Sequence, residues 1–488
     1  MQKQLIIGVL SLALLSCEQQ KEQVKNEITT ENEYEYIGGY PTDATVEKAF
    51  YQLDLQRASQ VYLEFIPLTS QNSIFRAHNE DYGMKKTGDV GIYTEMGTGK
   101  AGAIGLTYNT ESIYASAHCD LKIDGPVVIE TPSNVLGIVD DGWMRYVTDL
   151  GNAGPDKGKG GKYLLLPPGY KGDIPEGYFV FECPTYRNWI MVRGFTEETG
   201  TGQNALDYYR KNLKIYPLET GPREDAIYVS MTGMGGNTTH PRDASYFDFL
   251  NEIVQYEPAT AFTPYELGVL QSIGIEKGKD FNPDARMKEI YKKGVERGEA
   301  MAKANAYANR LEGVRIYDDR KYERLFIGDY TFQKGDALWI DARTLFHYEA
   351  IVVTPAMTRK MIGNGSQYLI CYRDKDDNFM MGEHNYKLNI PANIPAETFW
   401  SVTVYHPDTR SLLQNGEDKP SVSMYDKPIV NEDGSIDLYF GPEAPEGQEN
   451  NWVKTIPGEG WEILFRLYGP TEAFFDQTWR PNDFEKLN

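Results

Sequence analysis

Histidine, cysteine and basic residues are scarce in this sequence. Its 6 histidines form no H-E-x-x-H pair and its 4 cysteines form no C-x-x-C pair, so no local motif predicts a metal site or a redox centre. Lysine and arginine together number 49, against 71 aspartates and glutamates, and the formal net charge is −22. Because a nucleic-acid partner requires a basic surface, we expect none.

Motifs for nucleotide binding and for nucleophilic serine chemistry are also missing. Residues 158–162 are rich in glycine and lysine, but they lack the G-x-x-x-x-G-K-[ST] spacing of a phosphate loop. No G-x-S-x-G sequence is present. The sequence therefore identifies no cofactor, and any chemistry must be sought among scattered polar residues.

The N-terminus predicts export. Lys3 precedes an apolar run over residues 5–15, which is too short to span a bilayer and is typical of a signal peptide. The run ends in Leu-Leu-Ser-Cys, which resembles a bacterial lipobox, so we predict a lipoprotein signal over residues 1–17 with lipidation at Cys17. A plain secretory peptide is the alternative. Residues 18–39 are polar and acidic, which favours a flexible tether.

This prediction places the protein in the cell envelope of a bacterium, lipid-anchored and either periplasmic or at the cell surface. No other segment is long and apolar enough for a membrane helix, so the lipid would be the only membrane contact. Besides Cys17, the sequence contains Cys119, Cys183 and Cys371, which allow at most one disulfide. Buried free thiols are the expected state.

The distribution of apolar residues predicts a mainly β protein with a helical middle section, an α+β fold. Residues 45–58 show helical spacing, and 207–213 and 246–256 repeat apolar residues at three- and four-residue steps. Thr263 and Glu266 form a capping box at the start of a further helix. Short apolar runs bounded by glycine or proline predict strands at 63–67, 127–132, 163–168 and 178–181.

The length of the chain is sufficient for two domains with their own cores. The predicted parts are an N-terminal β-rich domain over 40–200, a helical brace over 201–320 and a C-terminal β-sandwich domain over 321–488. In the last of these, short strands are separated by glycine, proline and aspartate turns. Alternate residues 461–467 are apolar, so we expect a jelly-roll-like antiparallel sandwich with Glu462, Arg466 and Tyr468 on its other face.

Two segments contain candidate catalytic residues. Residues 109–114 combine an amide, a carboxylate, hydroxyls and a phenol, so Glu111 could act as a general base beside Asn109 and Tyr114. A turn whose polar side chains satisfy backbone groups is the alternative. His347 lies in a charged and aromatic segment and is a second candidate base, although a core or interface histidine fits the same pattern.

Ordered motifs along nearly the whole chain carry a family resemblance. They lie at 109–114, 161–164, 167–172, 189–193, 274–281, 399–401, 409–410, 433–435, 451–452, 466–470 and 479. Together they resemble the bacterial two-domain family in which domain of unknown function 1254 is followed by domain of unknown function 1214. The family pattern has Asp-Thr where this chain has Glu111-Ser112, which lengthens the carboxylate. The resemblance implies a β-rich, two-domain fold in exported bacterial proteins and no established substrate.

Clefts favour domain interfaces, so we expect a polar, aromatic cleft between the two domains. The first hypothesis is a hydrolase that acts on a glycan or another small polar substrate, with Glu111, Tyr114 and His347 as catalytic residues. The substrate-binding residues would be Asn109, Trp143, Arg193, Arg343 and Trp452. The alternative is a non-catalytic surface lipoprotein that binds a glycan or peptide or scaffolds a neighbour. A homo-oligomer remains open in both cases.

Overall fold

The computed structural model of the protein describes residues 28–31, 33–100, 102 and 104–487. The predicted signal peptide with Cys17, and part of the predicted tether, lie outside these residues. The described chain combines helices with several mostly antiparallel sheets, which confirms the predicted α+β fold. None of its helices is both long enough and apolar enough to cross a membrane.

The first long element is a helix of 38 residues. A small antiparallel sheet precedes it, and the bounds are β1 (Ile28–Glu31), β2 (Tyr34–Ile37), β3 (Tyr40–Pro41) and α1 (Asp43–Glu80). The predicted helix over 45–58 is confirmed, but the predicted strand over 63–67 is wrong, because α1 continues through Pro67. From Ala58 onwards α1 is buried on nearly all sides. Its sequence therefore has no single apolar face, and the apolar run over 63–67 has the pattern of a buried strand.

Two sheets build the N-terminal domain. Their strands are β4 (Val90–Tyr93), β5 (Ile113–Asp120), β6 (Val127–Thr131), β7 (Val135–Asp141), β8 (Tyr146–Gly151), β9 (Gly161–Leu166), β10 (Phe179–Glu182), β11 (Arg187–Gly194), β12 (Lys214–Pro217) and β13 (Tyr228–Ser230). The helices between them are α2 (Leu121–Asp124), α3 (Thr196–Thr199) and α4 (Gln203–Asn212). The predicted strands at 127–132, 163–168 and 178–181 are confirmed as β6, β9 and β10.

The larger sheet has the strand order β13-β4-β5-β11-β7-β8, and the smaller has the order β10-β9-β6-β12. Apolar side chains of both sheets, such as Val192 and Leu165, share one core. Strands β12 and β13 follow residue 200 and still belong to these sheets. Cys119, Cys183 and Cys371, the cysteines among the described residues, are buried free thiols.

The middle helices pack around α1. They are α5 (Ser245–Tyr256), a 3-10 turn (Ala259–Ala261), α6 (Pro264–Ser272), α7 (Ala285–Tyr307) and α8 (Ile340–Glu349). The predicted capping box is confirmed, since Thr263 N donates to Glu266 Oε2 at 2.7 Å and Glu266 N donates to Thr263 Oγ1 at 3.2 Å. Phe65 of α1 and Ile290 of α7 lie in the shared helical core.

Two glycines of α7 allow α1 to approach closely. A Cβ added at Gly298 would lie 2.5 Å from a ring carbon of Tyr62, and a Cβ added at Gly294 would lie 2.7 Å from Cβ of Ala58. Both separations are shorter than van der Waals contact, so the two helices would have to move apart to accept a side chain.

We expect Gly298→Ala to lower the free energy of unfolding by about 1–3 kcal/mol, because overpacking outweighs the better helix propensity of alanine. The matched control is Gly268→Ala in α6, where an added Cβ meets no atom within 4 Å. There the same change should stabilise the protein by up to about 1 kcal/mol. Urea unfolding of both variants measures the difference, and a Gly298→Ala protein as stable as Gly268→Ala would refute the packing argument.

The C-terminal domain is a sandwich of two four-stranded sheets, as predicted. Its elements are β14 (Gln333–Lys334), β15 (Ala337–Leu338), α9 (Pro355–Thr358), β16 (Ser366–Cys371), β17 (Tyr386–Ile390), β18 (Ala396–Tyr405), β19 (Ser421–Ser423), β20 (Ile436–Gly441), β21 (Trp452–Lys454), β22 (Glu462–Pro470), α10 (Glu472–Phe475) and β23 (Glu485–Lys486). Two 3-10 turns are at Met424–Asp426 and Glu449–Asn451.

The sandwich sheets have the orders β16-β22-β18-β19 and β21-β20-β17-β23. Trp461, Ile463 and Phe465 lie in the core between them, as the alternation predicted. Strands β20 and β21 pair in parallel, which the expectation of an antiparallel sandwich did not include.

The second face of β22 is buried too. Glu462, Arg466 and Tyr468 are exposed by only 4%, 2% and 4%. This face packs against the N-terminal domain, where an Arg466 nitrogen donates to the Thr107 carbonyl at 2.9 Å. The contact joins the larger N-terminal sheet and its loop 104–112 to the β16-β22-β18-β19 sheet. We call it the interdomain seam.

Candidate functional site

A cleft of about 220 Å³ opens at the interdomain seam. We call it the interdomain cleft. Its walls combine aromatic rings, apolar side chains, amides and two charged side chains: Tyr93, Glu95, Met96, Gly97, Thr98, Lys100, Gly102, Tyr108, Asn109, Tyr114, Met231, Thr232, Gly233, Leu412 and Gln414. The last two belong to the sandwich, so the second domain completes the cleft.

Strand pairing positions the aromatic wall. Tyr93 of β4 and Tyr114 of β5 are antiparallel partners, so their side chains lie next to each other. The loop between these strands places the Tyr108 ring 5.7 Å from the Tyr114 ring, centroid to centroid. On the sandwich side, Leu412 pairs with Tyr405 at the end of β18. The cleft is therefore built by the ends of β4 and β5, the loop between them and the segment that follows β18.

The phenol groups of this wall form a chain. Tyr82 OH lies 3.3 Å from Tyr93 OH, and Tyr93 OH donates to Tyr108 OH at 3.4 Å. Burial raises the pKa of Tyr93 and of Tyr108 above the ordinary value of 10. The hydroxyl groups are therefore protonated at neutral pH and can donate and accept hydrogen bonds.

Asn109 has a structural role as well as a position in the cleft. Its Oδ1 accepts hydrogen bonds from Glu111 N at 3.2 Å and from Ser112 N at 3.1 Å, which is the turn that the sequence left open as an alternative. Its Nδ2 donates to Tyr468 OH at 2.9 Å across the interdomain seam. Asn109 thus connects the loop 104–112 to the sandwich by a hydrogen bond.

Glu111 lies beside the cleft and is not among the residues that line it. Its carboxylate accepts hydrogen bonds from Thr110 N at 3.2 Å and from the Thr110 hydroxyl. Burial raises the pKa of Glu111, against the opposing hydrogen bond from Thr110 and the positive charge of Arg466. A carboxyl with a raised pKa is suited to carry a proton, but here both of its oxygens are engaged by a neighbour.

A smaller cavity of about 50 Å³ adjoins the cleft inside the seam. We call it the seam cavity. It shares Tyr108 and Tyr114 with the cleft, and it is also lined by Arg193 of β11 and Arg466 of β22. Arg466 donates to Thr403 Oγ1 at 3.0 Å and to Tyr405 OH at 2.6 Å, and Arg193 Nε is buried without a hydrogen-bond partner.

Three other predicted site residues lie in the helical region. Trp143 is buried, with its ring centroid 5.1 Å from Phe65, and the Arg343 guanidinium carbon lies 5.5 Å from the Trp143 ring centroid. His347 is buried between Phe332 and Phe346, and burial lowers its pKa well below the ordinary value of 6.5. A histidine in this environment is a weak base.

Trp143, Arg343 and His347 line neither the interdomain cleft nor the seam cavity. Trp452 is in β21 at the edge of the other sandwich sheet, where its Nε1 donates to the Gly441 carbonyl at 3.0 Å. The expectation that all eight predicted residues share one cleft is therefore wrong. Asn109 and Tyr114 lie in the cleft, Arg193 lines the seam cavity, and Glu111 is next to them.

Sequence reasoning missed several residues that line the two cavities. Tyr93 and Tyr108 lay outside the motif considered, and Arg466 was assigned to an outer face of the sandwich. One signal was available in β22. Its second face contains a glutamate, an arginine and a tyrosine, and Leu464 between them is the one apolar residue that departs from the polar outer face of an ordinary sandwich strand.

Two family models match the chain. One, described as "Protein of unknown function (DUF1254)", covers residues 93–217, and the other, described as "Protein of unknown function (DUF1214)", covers residues 365–472. The first match includes Tyr93, Tyr114 and Arg193, and the second includes Leu412 and Arg466, so residues from both matches line the cleft and the seam cavity. No curated protein matches the chain.

A solved structure shows a similar fold. The VPA0106 protein from Vibrio parahaemolyticus is 16% identical, and the match has a TM-score of 0.54 over 89% of this chain and 100% of that chain. At this identity the likeness concerns the fold alone. An uncharacterised protein from Burkholderia cenocepacia is 13% identical, with a TM-score of 0.41 over 91% of this chain and 97% of that chain.

Proposed function

Because the chain belongs to the two-domain family in which domain of unknown function 1254 is followed by domain of unknown function 1214, we propose a function that both domains share. The protein is an exported lipoprotein that binds a small glycan in the interdomain cleft. The export part rests on the signal-like residues 1–17, and the binding part rests on the cleft.

The composition of the cleft wall is the observation that carries the binding proposal. The rings of Tyr93, Tyr108 and Tyr114 line the cleft, and Tyr93 OH donates to Tyr108 OH at 3.4 Å. Tyr114 OH accepts a hydrogen bond from Asn109 N at 3.3 Å. Sugar rings combine an apolar face with a rim of hydroxyl groups, which amphipathic aromatic side chains match. The amides of Asn109 and Gln414 add groups that both donate and accept hydrogen bonds.

Isothermal titration of a panel of oligosaccharides, with and without a blocked cleft, tests the binding proposal. Gln414 is exposed and lines the cleft, so we expect Gln414→Trp to fill the opening and to weaken binding at least about ten-fold, which corresponds to about 1.4 kcal/mol. Gln56→Trp, on an exposed position of α1, is the matched control and should bind like the parent protein. Equal binding by both variants would place the ligand elsewhere.

Hydrolysis of the bound glycan is a second candidate function, favoured by the position of Glu111. Its buried carboxyl lies next to the cleft, and its raised pKa suits proton donation to a leaving group. Analysis of the glycans recovered after incubation decides between the two functions. Shorter products support hydrolysis, and recovery of the glycan intact supports binding alone.

A further inference from the structure

We propose that the seam cavity receives an anionic group of the ligand, so that the interdomain cleft selects an acidic glycan, such as one with a uronic acid, over a neutral one. This inference rests on the proposed function and adds the chemical class of the ligand. The shared chemistry is a small oxyanion, either a carboxylate or a sulfate, that meets two arginines.

The charge of the seam cavity is the first argument. Arg193 comes from the N-terminal domain and Arg466 from the sandwich, and both line the same cavity. Some other arginines of the described chain form salt bridges, for example Arg145 with Asp141 and Arg242 with Glu299. Arg193 and Arg466 form none there, although the whole chain is acidic, with a formal net charge of −22.

The groups that hydrogen-bond to Arg466 do not neutralise its charge. Arg466 is 2% exposed, and its side-chain donors meet neutral oxygens of Thr403, Tyr405 and Thr107. Burial raises the pKa of Tyr405 above the ordinary value of 10, so this phenol is not a phenolate at neutral pH. Buried charge without a counter-ion is costly, and a bound anion would remove that cost.

Two carboxyl groups influence the arginines from outside the cavity lining. Asp149 lies near Arg193, and although burial raises its pKa to about 6 it is ionised at neutral pH and offsets part of the charge of Arg193. Its carboxylate accepts its hydrogen bonds from Thr354 and Tyr146 and none from Arg193. Glu111 lies near Arg466, but it is bound by Thr110. Neither carboxyl forms a salt bridge with these arginines in the described chain.

An unused donor in the seam cavity is the second argument. Arg193 Nε is buried and has no hydrogen-bond partner. Guanidinium groups bind carboxylates and related oxyanions through paired N–H donors, and Nε is one of the donors that such pairs use. A cavity of about 50 Å³ exceeds the space that one water needs and can accommodate a small oxyanion.

The arrangement of the two cavities is the third argument. Tyr108 and Tyr114 line both the interdomain cleft and the seam cavity, so the two spaces adjoin at these rings. In the proposed pose a sugar ring packs against Tyr114 in the cleft, and its acidic substituent meets Arg193 in the seam cavity. The neutral part of the ligand and its charge would thus be recognised by neighbouring groups.

Titration with glucuronate, with its methyl ester and with glucose tests the inference without any variant. We expect the acid to bind at least about ten-fold more tightly than the ester, since a charge-assisted contact is lost in the ester. If glucose 6-sulfate binds as tightly as glucuronate, the site accepts oxyanions in general, and if it binds more weakly, the site prefers a carboxylate. Inorganic sulfate should compete with the acid, and competition by it supports the anion site.

Variants locate the anion. Arg193→Gln should abolish the preference for the acid over the ester. Arg210→Gln, on the exposed face of α4, should leave this preference unchanged. Equal affinity of the parent protein for acid and ester would overturn the inference and leave the glycan-binding function standing. Failure of every glycan to bind would overturn both the inference and the glycan-binding function. If Arg193→Gln does not fold, the affinities of the parent protein for the acid and for the ester still test the inference.

Discussion

Replacing Arg410 with methionine should lower the free energy of unfolding by about 3–5 kcal/mol at pH 8, because it leaves two buried carboxyl groups without a nearby cation. Arg410, Glu349 and Glu462 surround a cavity of about 10 Å³ at the interdomain seam, and they are exposed by only 1%, 3% and 4%. Both carboxylate oxygens of Glu349 and one oxygen of Glu462 have no hydrogen-bond partner. Arg410 is the positive charge that acts on both carboxyl groups, and Glu462 also accepts a hydrogen bond from Tyr307 OH at 3.4 Å.

The effect should depend on pH. Burial raises the pKa of Glu349 and of Glu462 above the ordinary value of 4.5, and the neighbouring Glu462 raises that of Glu349 further. The hydrogen bond from Tyr307 lowers the pKa of Glu462, and the charge of Arg410 lowers the pKa of both groups. A carboxyl whose folded pKa is raised contributes stability below its unfolded pKa, and this contribution is lost as the pH rises through the folded pKa. Removal of Arg410 raises both folded pKa values further, so the deficit should be larger at pH 8 than at pH 5.

Urea unfolding of the parent protein and of Arg410→Met at pH 5 and pH 8 measures this deficit. Arg359→Met is the control, because Arg359 is exposed and its salt bridge with Asp329, at 3.2 Å, should contribute no more than about 1 kcal/mol. A small deficit, equal at the two pH values, would mean that the carboxyl groups do not depend on Arg410.

Cys17→Ser should release the protein from the membrane. The predicted lipid would be attached at this thiol. Each methylene of an acyl chain that enters the bilayer contributes about 0.8 kcal/mol to membrane binding, so loss of the acyl chain abolishes the attachment.

Fractionation of bacterial cells that express each variant measures the attachment. We expect the parent protein in the membrane fraction and Cys17→Ser in the soluble fraction. Gln19→Ser changes a residue close to the site, leaves the thiol in place and should stay with the membrane. Parent protein in the soluble fraction, or Cys17→Ser in the membrane fraction, would contradict the lipid anchor.

Local patterns of the sequence predicted much of the fold. The alternation at Trp461, Ile463 and Phe465 identified the sandwich core, and the capping box of Thr263 and Glu266 identified the start of α6. Both features depend on near neighbours in the sequence. Helix α1 was only half predicted, because beyond Ala58 it is enclosed by other elements and its apolar residues no longer mark one face.

The candidate site was predictable only in part. Asn109 and Tyr114 belong to one polar motif, and the motif is in the cleft. Arg193 and Arg466 are far apart in the sequence, and they meet because two sheets from different domains pack face to face. The segment around His347 has the charged and aromatic composition of a catalytic segment, but the side chain itself lies among aromatic rings. Burial of this kind cannot be predicted from the local sequence.

A crystal structure of the protein with a bound glycan tests the central claim most directly. The interdomain cleft should then hold the sugar ring between the tyrosine wall at Tyr108 and Tyr114 and the sandwich residue Leu412, with any acidic substituent near Arg193. A glycan bound on the outer sheet of the sandwich near Trp452, with the cleft empty, would contradict the account.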